Sequence, residues 1–268
     1  MARGAPVSLC PTTVLEWRDV LLFAMCWEVM YQIVKLALKG SPHPKIKQLG
    51  ASYFVAFLNA AICSFGGLWA VMSLLAGDFA GRMVVGDAQS PYWPGGPAGE
   101  LVYGWFAHCF LGWLVYDVVH IAFWYPKLGG ADTVAHHVGF VCLTCLGSSH
   151  RILPLPVAWL LVGEISSLPL NIRWFLIYSG RGATPALNLT NYVFGLSFLF
   201  VRVVVYWAGL YHLLMYLQPA LVSPPYDCSP LVVNTICFFI AAGACLNAYW
   251  MINIFKMAGR GGQKKKGT

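Results

Sequence analysis

Seven apolar runs close to the length of a membrane-crossing helix fill most of this chain. A helix needs about 20 apolar residues to cross the hydrocarbon core of a bilayer. The runs are Asp19 to Leu38, Ala51 to Ala76, Leu101 to Trp124, Val134 to Ser148, Leu155 to Tyr178, Tyr192 to Leu217 and Leu231 to Phe255. They show no strand-like alternation, which argues against a barrel. Of the 268 residues, 59% are hydrophobic and 10% charged, where soluble domains carry about 25% charged residues. The expected fold is therefore all-α, a multi-pass transmembrane helical bundle with no separate soluble domain and no internal repeat.

Charge sets the orientation. The net charge is +7, but the basic residues form no patch interleaved with aromatics, so nucleic acid is not an expected partner. One set of connections carries Lys39, Lys45, Lys47, Lys127, Arg181 and the tail with Lys256, Arg260 and Lys264 to Lys266. The other set carries Arg3, Arg18, Arg82 and Arg151. Lys and Arg favour the cytosol, so the N terminus is expected in the lumen and the C terminus in the cytosol. The first run lacks a small-residue cleavage pattern and reads as a retained span. Gly77 to Glu100 becomes a lumenal loop with interfacial aromatics. The sequon at Asn188 falls on the cytosolic side and should stay unmodified. Cys10 and Cys228 fall on the lumenal side, where a disulfide is compatible with the compartment. Cys142 and Cys145 form a CxxC inside a span, which reads as packing. Lys265 and Lys266 resemble a dilysine retrieval signal for the endoplasmic reticulum; the alternative is a basic tail attracted to anionic lipid.

Ionisable residues inside a membrane are costly and usually functional. His136 and His137 open the short fourth run, with Asp117 and His120 in the third, Glu164 and Arg173 in the fifth and Arg202 in the sixth. The fifth run is interrupted by Pro169, which removes a backbone donor and frees a carbonyl. Ser166, Ser167 and Asn171 are positioned to compensate, and Asn247 adds a polar group in the seventh run. Asp117 and His120, three apart, share a helix face, so Asp117 is an expected partner for that imidazole. Glu164 and Arg202 have opposite charges at similar depth, as a buried carboxylate requires. For His136 and His137 two readings stay open. One is a nucleophile or general base in acyl transfer, or a headgroup ligand, with Asp117 orienting. The other is a structural pair that holds helices together. No standard metal-ligand spacing is present. Arg173 with Trp174 fits an interfacial anchor as well as a binding role.

The segments TyrAspValValHis at 116–120, HisHis at 136–137, GluIleSerSerLeuProLeuAsnIleArgTrp at 164–174, Asn191, and PheLeuPheValArg at 198–202 together resemble the TLC-domain family. This family includes the TRAM proteins, the ceramide synthases and the small TLC-domain-containing proteins, and the ending AsnAlaTyrTrpMetIleAsnIlePheLys is similar to the last group. The resemblance spans about Lys45 to Lys256. It divides the chain into a lumenal N terminus and first span (1–44), a TLC domain (45–256) and a basic cytosolic tail (257–268). It implies a bundle in the endoplasmic reticulum membrane with a lipid-accepting cavity. In ceramide synthases the paired histidines are essential for joining an acyl group from acyl-CoA to a sphingoid base, and His136 and His137 match that pair. The chain departs from the synthases after His137, where ValGlyPheValCysLeuThrCysLeu lacks their downstream acidic residues.

Two functions are therefore expected. One is a lipid-binding protein that affects membrane lipid or sphingolipid homeostasis, with acyl-CoA as co-substrate if it transfers acyl groups and no resident cofactor. The other is a non-catalytic lipid sensor, carrier or trafficking adaptor. Catalytic candidates are His136, His137 and Asp117. Lipid-binding candidates are His120, Glu164, Ser167, Asn171, Arg173, Arg202 and Asn247. Sequence does not set an oligomeric state.

Overall fold

A computed structural model describes residues 16–75, 106–150, 152–224 and 228–264. Seven helical rods follow one another and no strand occurs among these residues. They are α1 (Trp17–Ala37), α2 (Pro44–Leu75), α3 (Ala107–Phe123), α4 (Ala131–His150), α5 (Pro154–Tyr178), α6 (Pro185–Leu221) and α7 (Pro230–Lys264). Five are long and apolar enough to cross a membrane, and α3 is a shorter apolar helix. The protein is a multi-pass membrane protein. Arg3, Cys10, Arg82, the stretch from Gly77 to Glu100, Arg151, Lys265 and Lys266 lie outside the described residues.

Several rods extend beyond the apolar runs because hydropathy marks the greasy part of a helix and not its stop signals. Helices α2, α5, α6 and α7 each start on a proline. At the first position its missing N–H has no intrahelical partner to lose, and its fixed φ suits the helix. Thr184 caps α6, its hydroxyl accepting from the Leu187 N–H at 3.3 Å. At the other end of α5, Gly180 takes φ 77° and the Arg181 N–H bonds the Leu176 carbonyl at 3.0 Å. That left-handed closure is one glycine adopts without a steric cost.

Six rods form a ring. Going round, α2 touches α3, α3 touches α4, α4 touches α7, α7 touches α6, α6 touches α5, and α5 returns to α2. Helix α1 stands outside it against α2 and α3. Two close approaches fix this arrangement. A Cβ on Gly67 would meet the Val162 amide nitrogen at 2.7 Å, so α2 and α5 pack backbone to backbone. A Cβ on Gly112 would meet the Val20 carbonyl at 2.9 Å, which seats α1 on α3. Small residues at such crossings are how membrane helices gain contact when lipid is as apolar as their side chains.

The outer surface is apolar, and the mainly apolar core also takes in polar side chains. Leu21, Met25, Leu36, Phe200 and Leu231 face outward, while Asn59, Asn171, Arg202 and Asn247 are buried. Polar side chains link successive helices. Glu28 meets His120 between α1 and α3, and Asp117 meets His137 between α3 and α4. Trp250 donates to Asp132 between α7 and α4 at 2.8 Å. The Tyr206 hydroxyl donates to the Ile240 carbonyl between α6 and α7 at 3.0 Å. Arg202 meets Glu164 between α6 and α5. Tyr53 of α2 stacks on Trp174 of α5, with centroids 4.0 Å apart.

Candidate functional site

Helix α5 changes pitch in its middle. Residues Gly163–Ser166 form a 3-10 turn. The interruption expected at Pro169 lies just ahead of it. Proline offers no N–H to the carbonyl four residues back and its ring crowds that carbonyl, so the strain is taken up in the preceding turn. Opposite, α6 widens into a π-helix over Phe198–Val205, and Arg202 sits within it. One-turn π segments project side chains that a regular helix would not.

Arg202 joins the two irregular turns. Its Nε donates to the Gly163 carbonyl at 3.0 Å and to Ser166 Oγ at 3.2 Å. Its Nη2 donates to Glu164 Oε1 at 2.6 Å and to Ser167 Oγ at 3.2 Å. The side chains of both charged partners are about nine-tenths buried. A buried pair is retained only when further hydrogen bonds offset its desolvation, and these bonds supply that. The Glu164–Arg202 partnership expected from charge and depth is present.

Helices α3 and α4 contribute the second charged pair. His137 Nε2 lies 3.0 Å from Asp117 Oδ2, with exposures of 11% and 14%. Its Nδ1 lies 2.8 Å from the Thr133 carbonyl, one turn back on α4. Both ring nitrogens face oxygen acceptors. A neutral imidazole carries one N–H, so the pair holds one proton more than a neutral imidazole beside a carboxylate. The Trp113 ring closes one side, with centroids 5.5 Å apart.

Several of these groups border one cavity of about 180 Å³ bounded by α2, α3, α4 and α5. His137, Asp117, Glu164, Ser167 and Asn171 all line it, together with Tyr53. Asn171 is held by its own donation to the Ser167 carbonyl at 2.7 Å. Arg202 does not line the cavity but fixes Glu164 and Ser167 from behind.

Other sequence candidates lie elsewhere. His136 turns to the α7 side, its ring 4.6 Å from Phe140 and 5.1 Å from Trp250, and its Nδ1 has no hydrogen-bond partner. Adjacent helix residues point about 100° apart, so the doublet divides between two surroundings. Asn247 on α7 is buried, and neither of its side-chain polar atoms has a hydrogen-bond partner. Arg173 donates to Asn191 Oδ1 at 2.7 Å in an exposed link between α5 and α6. The expected pairing of Asp117 with His120 does not form. His120 faces α1, between the rings of Tyr31 and Tyr116, and bonds Glu28 at 2.8 Å. Spacing of three places two residues on one broad face, yet here that face is divided between two neighbouring helices. Tyr53 and Thr133 were not foreseen. Glu28 had a signal, a carboxylate in an apolar run, but no partner could be assigned to it from sequence.

The TLC domain matches residues 51–256. The chain belongs to the TLC-domain family. The match takes in the six-helix ring, including α2 from Ala51 onward, and leaves out α1. A comparison with curated proteins gives no match. Membership supports a lipid-related role for a membrane protein of this kind.

Proposed function

We propose that this protein is an endoplasmic reticulum TLC-domain protein that binds lipid and affects membrane lipid or sphingolipid composition. The observation that carries this reading is the largely buried Asp117–His137 pair on a cavity bounded by α2, α3, α4 and α5, which Glu164, Ser167 and Asn171 also line. Its volume of about 180 Å³ lies below that of sites that engulf a whole small molecule, roughly 300–1,000 Å³. It suits a headgroup or a reacting group, with the lipid chains lying between helices or in the bilayer.

If the site is catalytic, the chemistry is acyl transfer from acyl-CoA to an amine or hydroxyl such as that of a sphingoid base. The acceptor nitrogen or oxygen bonds to the thioester carbonyl carbon while the carbon–sulfur bond breaks. The Asp117–His137 pair gives its extra proton to the departing thiolate and then takes the acceptor's proton, which restores it. Glu164, Ser167 and Asn171 position the polar end of the lipid, and Arg202 holds Glu164 in place. His137 has the geometry for this role, because Asp117 touches it and not His136.

One observation favours the second reading, a lipid sensor, carrier or trafficking adaptor. Both nitrogens of His137 already face acceptors, which suits a fixed link between α3 and α4 beside a bound headgroup.

The test uses purified full-length protein with acyl-CoA and a sphingoid base or a lysolipid. Wild type is compared with His137→Ala and His136→Ala. Loss of product in His137→Ala with retention in His136→Ala supports transfer at this pair. Product that persists in both variants excludes the histidine mechanism. No product with any acceptor, together with a co-purified lipid that His137→Ala no longer retains, supports the binding reading.

A further inference from the structure

A groove of about 440 Å³ runs between α2 and α5. It shares no lining residue with the His137 cavity. Phe54 and Phe57 form one wall, and Ile172, Phe175 and Leu176 form the other. These positions recur at intervals of three and four, so each wall is one face of its helix. Phe54 and Ile172 are 37% and 43% exposed, so the groove opens on the lipid-facing side of the bundle. The two helices run antiparallel. Gly67 meets Val162, Tyr53 stacks on Trp174, and a Cβ on Gly50 would lie 3.5 Å from Phe175. The end of α5 therefore stands beside the start of α2.

At that end the groove is lined by Ser179 and Arg181. The Ser179 hydroxyl donates to the Leu176 carbonyl at 3.3 Å, so its proton is already used. Arg181 is exposed and is the only charged residue on the walls. Both of its backbone groups are tied. Its N–H donates to the Leu176 carbonyl at 3.0 Å, and its carbonyl accepts from the Thr184 hydroxyl at 2.8 Å. Among the described residues no carboxylate pairs with its guanidinium. Lys47 lies seven residues before Phe54, on the same face of α2 and at the same end. Here the connections between helices, with the first turns that follow them, carry Lys39, Lys45, Lys47, Lys127 and Arg181 against one carboxylate, Asp132. Asp132 already accepts from Trp250. An apolar groove thus ends on a cation that nothing nearby compensates.

We infer that the α2–α5 groove binds an anionic glycerophospholipid, with the phosphate on Arg181 and an acyl chain along Phe54, Phe57, Phe175 and Leu176. A guanidinium presents a planar fork of donors that matches a phosphate. Basic residues at a membrane surface attract lipids of net negative charge. The volume falls in the range of formed ligand sites, roughly 300–1,000 Å³. The ligand is neither an acyl-CoA nor a long-chain amine, and the inference stands whatever the His137 cavity does.

The experiment uses the full-length protein in phosphatidylcholine nanodiscs. Three photoactivatable diacyl lipids carry the same acyl diazirine and end in phosphoglycerol, phosphocholine or a free hydroxyl. Labelled residues are located by mass spectrometry. The phosphoglycerol lipid is expected to label residues 54–57 and 172–179 about fivefold more than the phosphocholine lipid, the preference one basic residue at a membrane surface supplies. Arg181→Gln should bring it down to the phosphocholine level. The side chain of Arg181 is exposed and its backbone bonds do not need it, so this variant should fold. Lys127→Gln removes a charge from the same end on a different connection and should leave the preference intact. Ile172→Trp fills the groove without touching Arg181 and should suppress labelling by the anionic lipid. His137→Ala should change nothing. Equal labelling by all three lipids, an undiminished preference in Arg181→Gln, or an equal loss in Lys127→Gln overturns the proposal. Displacement of the label by added palmitoyl-CoA also overturns it, because the groove would then serve the reaction proposed at His137.

Discussion

Asp117–His137 and Glu28–His120 are both carboxylate–imidazole pairs that join α3 to a neighbour, at 3.0 and 2.8 Å. They differ in enclosure. Asp117 is 14% exposed inside the ring, whereas Glu28 is 44% exposed outside it, between α1 and α3. They differ also at the other ring nitrogen. That of His137 faces the Thr133 carbonyl, and that of His120 has no partner. The inner pair therefore holds its own proton and is internally neutral. The outer pair leaves one ring nitrogen unused and shares the groove between α1 and α3 with Lys35. The same two residue types thus make an enclosed dyad in one place and a partly exposed link between helices in the other.

The largest test of the inner region is Arg202→Ala. It leaves Glu164 buried with no counter-charge and removes donors from the Gly163 carbonyl and Ser167. Breaking one half of a buried pair costs about 3–5 kcal/mol. The drop is expected in denaturant unfolding of the detergent-solubilised protein. The double variant Arg202→Met, Glu164→Leu should recover most of it, since the penalty is the orphaned charge. A small loss in Arg202→Ala would mean that water reaches Glu164 and that the ring is more open than its burial indicates.

Next come the two close helix crossings. Gly67→Ala forces a methyl against the Val162 amide and the Ala158 carbonyl, within 2.9 Å of each. Neither atom is the end of a flexible side chain, so the helices must part, at about 1–3 kcal/mol. Gly112→Ala makes a similar clash with Val20 and Phe23, but it displaces α1, which packs on the ring from outside, against α2 and α3. Its unfolding cost should be smaller than that of Gly67→Ala. Equal unfolding losses would show that α1 is as integral to the bundle as the ring helices.

The fold was legible in the sequence because a bilayer permits few solutions. Apolar runs of the required length had to be helices, and prolines at their starts marked boundaries that hydropathy alone set too short. The Glu164–Arg202 link was legible because buried opposite charges at one depth have few other partners. The division of the histidines was not. His136 and His137 are neighbours in sequence, yet the helix sends one to the cavity and the other towards Trp250. Asp117 and His120 share a helix face in projection, but α1 and α4 flank that face, and helix adjacency is not written in spacing. The Glu28–His120 link escaped notice for the same reason. Glu28 acquires meaning only once α1 is known to lie beside α3.

A smaller effect is expected from Asp117→Asn. Asparagine can turn its amide N–H₂ toward His137 Nε2, so the contact survives with a neutral imidazole. The loss should be about 1 kcal/mol, the difference between a charge-assisted and an ordinary hydrogen bond. The sharper readout is the protonation of the ring. In nitrogen NMR of histidine-labelled protein, wild-type His137 should show two protonated ring nitrogens and the variant one. If the wild type already shows a bare Nε2, the proton sits on Asp117 and the contrast with the outer pair weakens.

The smallest change is Glu28→Gln. Glutamine keeps an oxygen for one of the two donors, and the site is half exposed, so unfolding should shift by less than about 0.5 kcal/mol. Its informative effect is selective. A charge that served only to clamp α1 to α3 would, when removed, loosen α1 and raise hydrogen exchange along Trp17–Ala37. Unchanged exchange would show that the Glu28–His120 contact is incidental to the seating of α1. Hydrogen exchange on protein in phosphatidylcholine nanodiscs therefore tests the clamp. Faster exchange in α1 would return Glu28–His120 to the same class as the polar links that hold the ring together.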